Sequence, residues 1–147
     1  MIPSFDERGF LPPGVHRSDW GEFVERYGIS DHRRKLIGLL EGLIRHMKAV
    51  GCRSMFIDGS FVTNKERPND YDACWDVHGV KVERIDPVLM NFTDFGKARM
   101  EEKYGGDIRP DAFSPTETAG TYLEFFQIDR NGDPKGIVQL VLAEIEI

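Results

Sequence analysis

The sequence predicts an α+β (α/β) domain, a small mixed β-sheet with helices packed on it. Three observations carry this. A long amphipathic stretch spans residues 31–50, with apolar residues recurring at helical spacing. Short apolar runs at 53–57, 70–77 and 137–147 are of strand length. Helical and strand patterns also alternate along a chain of 147 residues, the size of a single domain covering 1–147. Such a chain buries roughly 70% of its unfolded surface, enough for an ordinary core.

The elements follow in order. Residues 1–17 read as an irregular arm. Pro3, Gly9, Pro12, Pro13 and Gly14 break regular structure there, while Phe5, Phe10 and Leu11 give it something to bury. Ser18 caps a short helix whose apolar face is Trp20, Phe23, Val24 and Tyr27, and Gly28 stops it. A longer helix runs from Asp31 to Val50 behind the cap Ser30. Its stripe is Leu36, Ile37, Leu39, Leu40, Leu43, Ile44 and Met47, with Arg33, Arg34, Lys35, Arg45 and Lys48 mostly off it. Gly51 ends that helix and Arg53–Ile57 form the first strand. Phe61–Asn64 begin a short helix, and Asp70–Val77 are the second strand. Asp86-Pro87 opens a short helix within 82–90, and Thr93–Tyr104 form another that Gly105-Gly106 ends. Asp107-Ile108 start a third strand. Segment 111–120 is loop, Tyr122–Ile128 is helix or strand, 130–133 is a turn, and Ile137–Ile147 is a closing strand.

Composition excludes some functions. With 40% hydrophobic and 30% charged residues the profile is that of a soluble globular protein. A net charge of −6 argues against a broad, sequence-independent grip on nucleic acid. No signal-peptide pattern or membrane-length apolar run is visible, and Cys52 and Cys74 are the only cysteines. The expectation is a cytoplasmic protein with free thiols and no membrane contact. His16, His32, His46 and His78 are too scattered for a histidine metal site.

The chemistry concentrates in MFIDGSFVTNKERPNDYDACWDV, residues 55–77. Residues i and i+2 of a strand share a face, so Asp70 and Asp72 project side by side. Adjacent carboxylates repel unless a cation lies between them. Hard oxygen donors suit Mg²⁺ or Mn²⁺, and Mg²⁺ completes its shell with water and nucleotide phosphates. Gly59 and Ser60 sit where the first strand turns. Glycine lets a phosphate approach the backbone, and the serine hydroxyl can bond it. The alternative is a plain tight turn with Ser60 as a cap. Asp58 either supports this site or simply ends the strand. Asp76 lies further along the same face. Arg109 and Lys135 are phosphate-binding candidates or surface residues. Trp20, Trp75, Phe125 and Phe126 read as core.

Gly59-Ser60, a spacer, then Asp70-x-Asp72 in an apolar strand resembles the nucleotidyltransferase superfamily. Its members include DNA polymerase beta and the minimal enzymes of toxin–antitoxin and defence pairs. The resemblance covers residues 55–77 and extends loosely to 112. It implies a helix leading into the strand that carries Gly-Ser, and Mg²⁺ (or Mn²⁺) held by the aspartates. A nucleoside triphosphate would be the substrate, its nucleoside monophosphate passing to a protein or RNA hydroxyl. It also implies a third carboxylate, as general base or shared metal ligand: Asp107 in YGGDIRP, or Glu124 in YLEFFQ. Asp107 as a mere turn residue is the other reading. Many minimal enzymes carry an arginine shortly after Gly-Ser. Here Phe61-Val62-Thr63-Asn64-Lys65 follows, so Lys65 supplies a point charge to the phosphates or is a solvated loop lysine. The missing arginine and the acidic balance keep open a second reading, a catalytically inactive, antitoxin-like protein that binds a partner. A hydrolase using the two aspartates as acid and base is weaker, because their settings are too alike. The whole chain also resembles a family of small, uncharacterised bacterial proteins with LPPG, DGSFVT and LEFFQ…KGIV segments.

Overall fold

A computed structural model describes residues 1–116 and 120–147. Five strands form a single mixed sheet: β1 (Gly14–Ser18), β2 (Ser54–Asp58), β3 (Tyr71–Trp75), β4 (Gly106–Pro110) and β5 (Gly136–Val141), in the order β1-β5-β2-β3-β4. The pairs β1–β5 and β3–β4 are parallel, and β2 is antiparallel to both β5 and β3. This is the α+β class expected. Among the described residues, no helix is long and apolar enough to cross a membrane.

The two faces of the sheet differ. Met55, Ile57, Tyr71, Ala73, Trp75, Ile108, Val138 and Leu140 alternate along their strands onto one face and are buried. Helices α1 (Trp20–Tyr27), α2 (Asp31–Ala49) and α3 (Asp94–Tyr104) contribute buried residues to that same cluster. The α2 stripe is as expected except at Leu39, which is only half-buried: Leu36, Ile37, Leu40, Leu43, Ile44 and Met47 are buried, each worth about 1.5–3 kcal/mol of transfer free energy. Ser30 caps α2 by accepting from Arg33 N. Thr93 caps α3, and Gly105 ends it in the left-handed conformation at φ +84°. The last helix, α4 (Tyr122–Phe125), is short, closed by a capping box between Thr121 and Glu124. It lies on the opposite face of the sheet, where Phe126 packs with Phe56, Cys74 and Ile137.

Several expectations need correction. The arm is irregular only through residue 13. Residues 14–18 form β1, because β5 offers them an edge to pair with. Ser18 therefore ends a strand, and Asp19 caps α1 instead by accepting from Glu22 N. The closing strand stops at Val141, and Leu142–Glu144 turn into a 3₁₀ segment. Val82–Arg84 and Pro87–Met90 are likewise short 3₁₀ turns. Within the expected 111–120 loop, residues 117–119 fall outside the described ones.

Arg33 departs most from its expected place. It is not a solvated helix charge but is 2% exposed. Its guanidinium donates to the carbonyls of Phe61 (2.7 Å), Thr63 (3.1 Å) and Lys65 (2.6 Å) and lies over the Phe61 ring at 4.9 Å. One planar fork thus satisfies three carbonyls of the loop that follows Gly59-Ser60. Arg33→Met strands these acceptors. It is expected to cost about 3 kcal/mol in urea denaturation, and Arg33→Lys to recover less than half of that.

Candidate functional site

The strand registers build the site. Asp58 at the end of β2 stands opposite Asp72 on β3, and Asp72 stands opposite Asp107 on β4. Directly opposite residues share a face, so three carboxylates stand abreast, on the side away from α2. Asp70, two residues before Asp72, lines the same cleft of about 1400 Å³. Gly59, Ser60 and Lys65 line it too. The structure therefore gathers in one cleft Gly59, Ser60, Lys65, Asp70, Asp72 and Asp107, the residues singled out from the sequence. Two other candidates lie elsewhere. Glu124 is held in its own capping box. Asp76 lies past the end of β3, where it accepts from His78 and pairs with Arg53 at 3.8 Å.

Gly59 has φ +83°, a conformation other residues rarely adopt. A Cβ built on it would lie 2.5 Å from Asp72 Oδ2. The bend and the carboxylate are thus in direct contact, and no larger residue fits between them. Ser60 then opens a single 3₁₀ turn, Ser60–Val62, where a short helix begun by Phe61–Asn64 was expected. The Ser60 carbonyl accepts from the Thr63 hydroxyl at 2.7 Å, so the turn is closed at once.

The electrostatics follow from crowding. Burial pushes the Asp72 carboxyl up to about 7, and the negative charges of Asp70, Asp58 and Asp107 add to the shift. Asp70 is raised to about 6, by burial and then by Glu101 of α3. Burial also raises Asp58, although Lys135 opposes this. Among the described residues, cations pair with the row only at its ends. Lys135 Nζ lies 2.9 Å from Asp58 Oδ1. Arg109 Nε donates to Asp107 at 2.8 Å, with Lys97 Nζ 3.9 Å from the same carboxylate. Among the described residues, no Lys or Arg nitrogen comes within 4.0 Å of Asp72, at the centre.

Carboxylate oxygens with surplus negative charge are the donor set that Mg²⁺ or Mn²⁺ takes, so the residues present fit a divalent cation. Among the described residues, no three His, Cys, Asp or Glu side chains are already drawn together as a metal shell.

Some members of the site were not evident from the sequence. Asp58 is 4% exposed and a full member of the row. Lys135 and Arg109, read as phosphate binders or surface residues, are mostly buried ion-pair partners of the aspartates. Glu101 reaches Asp70 from α3. Arg8 of the arm lines the cleft, pairs with Asp129 at 2.8 Å and donates to the Pro134 carbonyl at 3.1 Å. Asp58 carried a signal in its place directly before the Gly-Ser bend, and Arg109 and Lys135 in their charge; Glu101 and Arg8 carried none.

The profile of a family of unknown function, DUF6932, matches residues 3–141, and the chain belongs to that family. No curated protein and no solved structure matches the chain.

The raised carboxyls set a sign for pH dependence. A folded-state value near 7 for Asp72, against about 3.9 when unfolded, means that the folded chain binds more protons between those limits. Asp72 therefore subtracts stability increasingly as pH rises from about 4 to 7. Asp72→Asn removes this term. It is expected to match the wild type in thermal unfolding at pH 4 and to exceed it by about 1–2 kcal/mol at pH 7.5. Gly59→Ala is expected to lose about 2 kcal/mol or more through strain and the clash with Asp72.

Proposed function

We propose that this protein is a metal-dependent nucleotidyltransferase that moves a nucleoside monophosphate from a nucleoside triphosphate to a hydroxyl of a protein or an RNA. One observation carries the reading: the Asp58–Asp72–Asp107 row directly against the Gly59-Ser60 bend. Asp70, Asp72 and Asp107 would hold Mg²⁺ or Mn²⁺. When bound, the ion supplies charge neutralisation at the transferring phosphorus. Gly59 lets the Asp72 carboxylate pack directly against the bend, and the Ser60 hydroxyl and Lys65 ammonium offer donors to the triphosphate oxygens.

Asp107 accepts the proton of the attacking hydroxyl. The hydroxyl oxygen forms its bond to the α-phosphorus as the bond from that phosphorus to the bridging oxygen breaks, and pyrophosphate leaves. Positioning and electrostatics do most of this work, as in phosphoryl transfer generally. Residue placement supports the reading in one further way. Lys135 and Arg109 hold the outer aspartates through charge-assisted contacts, so the row is set before substrate arrives.

A second reading has its own support: Lys65 stands where a phosphate-gripping arginine is expected, and Arg33 spends its guanidinium on backbone carbonyls. That combination fits an inactive domain that binds a partner, as antitoxins do. Calorimetric titration with ATP, GTP, CTP and UTP in Mg²⁺ or Mn²⁺ separates the two. The enzyme reading expects binding of at least one nucleotide, lost at least a hundredfold in Asp72→Asn and Asp70→Asn. It also expects transfer of label from an α-labelled triphosphate. Silence with every nucleotide, together with a co-purifying partner indifferent to Asp72→Asn, overturns it.

A further inference from the structure

The sheet face that carries the carboxylates turns aromatic one step further along. Two residues from Asp58, Asp72 and Asp107 stand Phe56, Cys74 and Arg109, again abreast. That step is about 7 Å of strand. Phe126 and Ile137 pack over Phe56 and Cys74, with Tyr122 against them, so α4 is seated beside the acidic row. Its Phe125 is turned the other way. The ring is 48% exposed and lines the cleft. Tyr122, half-buried and lining the same cleft, meets Phe125 at 6.5 Å between centroids with the rings perpendicular. Arg109 links the two zones. Its Nε donates to Asp107 at 2.8 Å while its guanidinium lies 5.9 Å from the Tyr122 ring centre.

The core does not use the exposed face of Phe125; Phe126, its neighbour, is the residue that anchors α4. A large ring held half in water at the wall of a polar cleft is the arrangement of a stacking surface. Resting on the nucleotidyltransferase reading, we infer that Phe125 and Tyr122 stack the base of the donor nucleotide whose phosphates lie at the acidic row. Phe125, Tyr122 and the aspartates line one cleft, so a nucleotide with its phosphates at the acidic row has the rings within the same cavity for its base. Every base has a π-face, so the wall adds affinity with little choice among bases.

The test uses the full chain. Wild type, Phe125→Ala, Phe125→Trp and Asp72→Asn are titrated calorimetrically with Mg²⁺–ATP, Mg²⁺–tripolyphosphate and hexauridylate. The expected result is that Phe125→Ala weakens ATP about tenfold or more, leaves tripolyphosphate unchanged, and is rescued by Phe125→Trp. Equal ATP affinity in wild type and Phe125→Ala overturns the inference. So does a loss shared equally by tripolyphosphate, a loss confined to hexauridylate, or no nucleotide binding at all. The two readings fail separately. Tripolyphosphate binding that depends on Asp72, with Phe125 inert, removes the base wall and leaves the acidic site. Phe125-dependent binding of ATP without any tripolyphosphate binding removes the metal–phosphate site and leaves the wall.

Discussion

Everything at the cleft depends on one electrostatic constraint: Asp58, Asp72 and Asp107 must stand abreast in a partly dry place although they repel one another. The apolar face of the sheet enforces this. Ile57, Ala73, Ile108 and Val138 are each fully buried on the side of α2, and their alternation locks the register of four strands. A slip by one residue would turn those side chains to the cleft and the aspartates into the core. Hydrophobic burial on one face therefore supplies the work that holds charge together on the other. The lysine and arginine at the ends of the row offset only part of that repulsion.

The walls of the cleft are held by contacts between segments distant in the chain. From α2, Arg33 reaches across the core and ties down the carbonyls of 61, 63 and 65, while Asn64 N donates to Gly9 O at 3.0 Å. On the other side Arg8 clips the arm to Asp129 and Pro134, just before Lys135 and the start of β5 at Gly136. The Gly-Ser loop, the arm and the 129–135 turn thus form one connected rim around the carboxylates. Backbone acceptors that face a cleft need such donors, since each buried and unpaired carbonyl costs free energy. The two arginines act as fasteners, which leaves Lys65 as the cation of the Gly-Ser loop that faces the cleft.

How far the sequence reached can be judged residue by residue. Asp70, Asp72 and the Gly59-Ser60 bend were legible because their signals are local: alternation within a strand, and a glycine at its end. Most of the α2 stripe and its cap Ser30 were legible for the same reason. Asp107 was reached through a resemblance, and Asp58 through its place beside Gly59. Arg33 was misjudged. It stands three and four residues before Leu36 and Ile37, so helical spacing already puts it on the apolar face; its charge argues against burial there, and the loop that folds over it makes the buried seat for a guanidinium. Phe125 and Phe126 are adjacent and chemically identical. Which one anchors α4 and which faces the cleft depends on where α4 sits on the sheet.

By itself the sequence determined the element types, the apolar faces and the one acidic pair on a single strand, since these follow from periodicities of two and 3.6 residues and from local turn chemistry. The tertiary structure decided which carboxylates join that pair, which cations neutralise them and which aromatic ring stays wet. Those outcomes rest on pairings between segments 14 to more than 120 residues apart, such as Asp58 with Asp72 and Arg8 with Asp129. Strand register and burial of the opposite face settle such pairings, and both are properties of the assembled sheet rather than of any one stretch of chain.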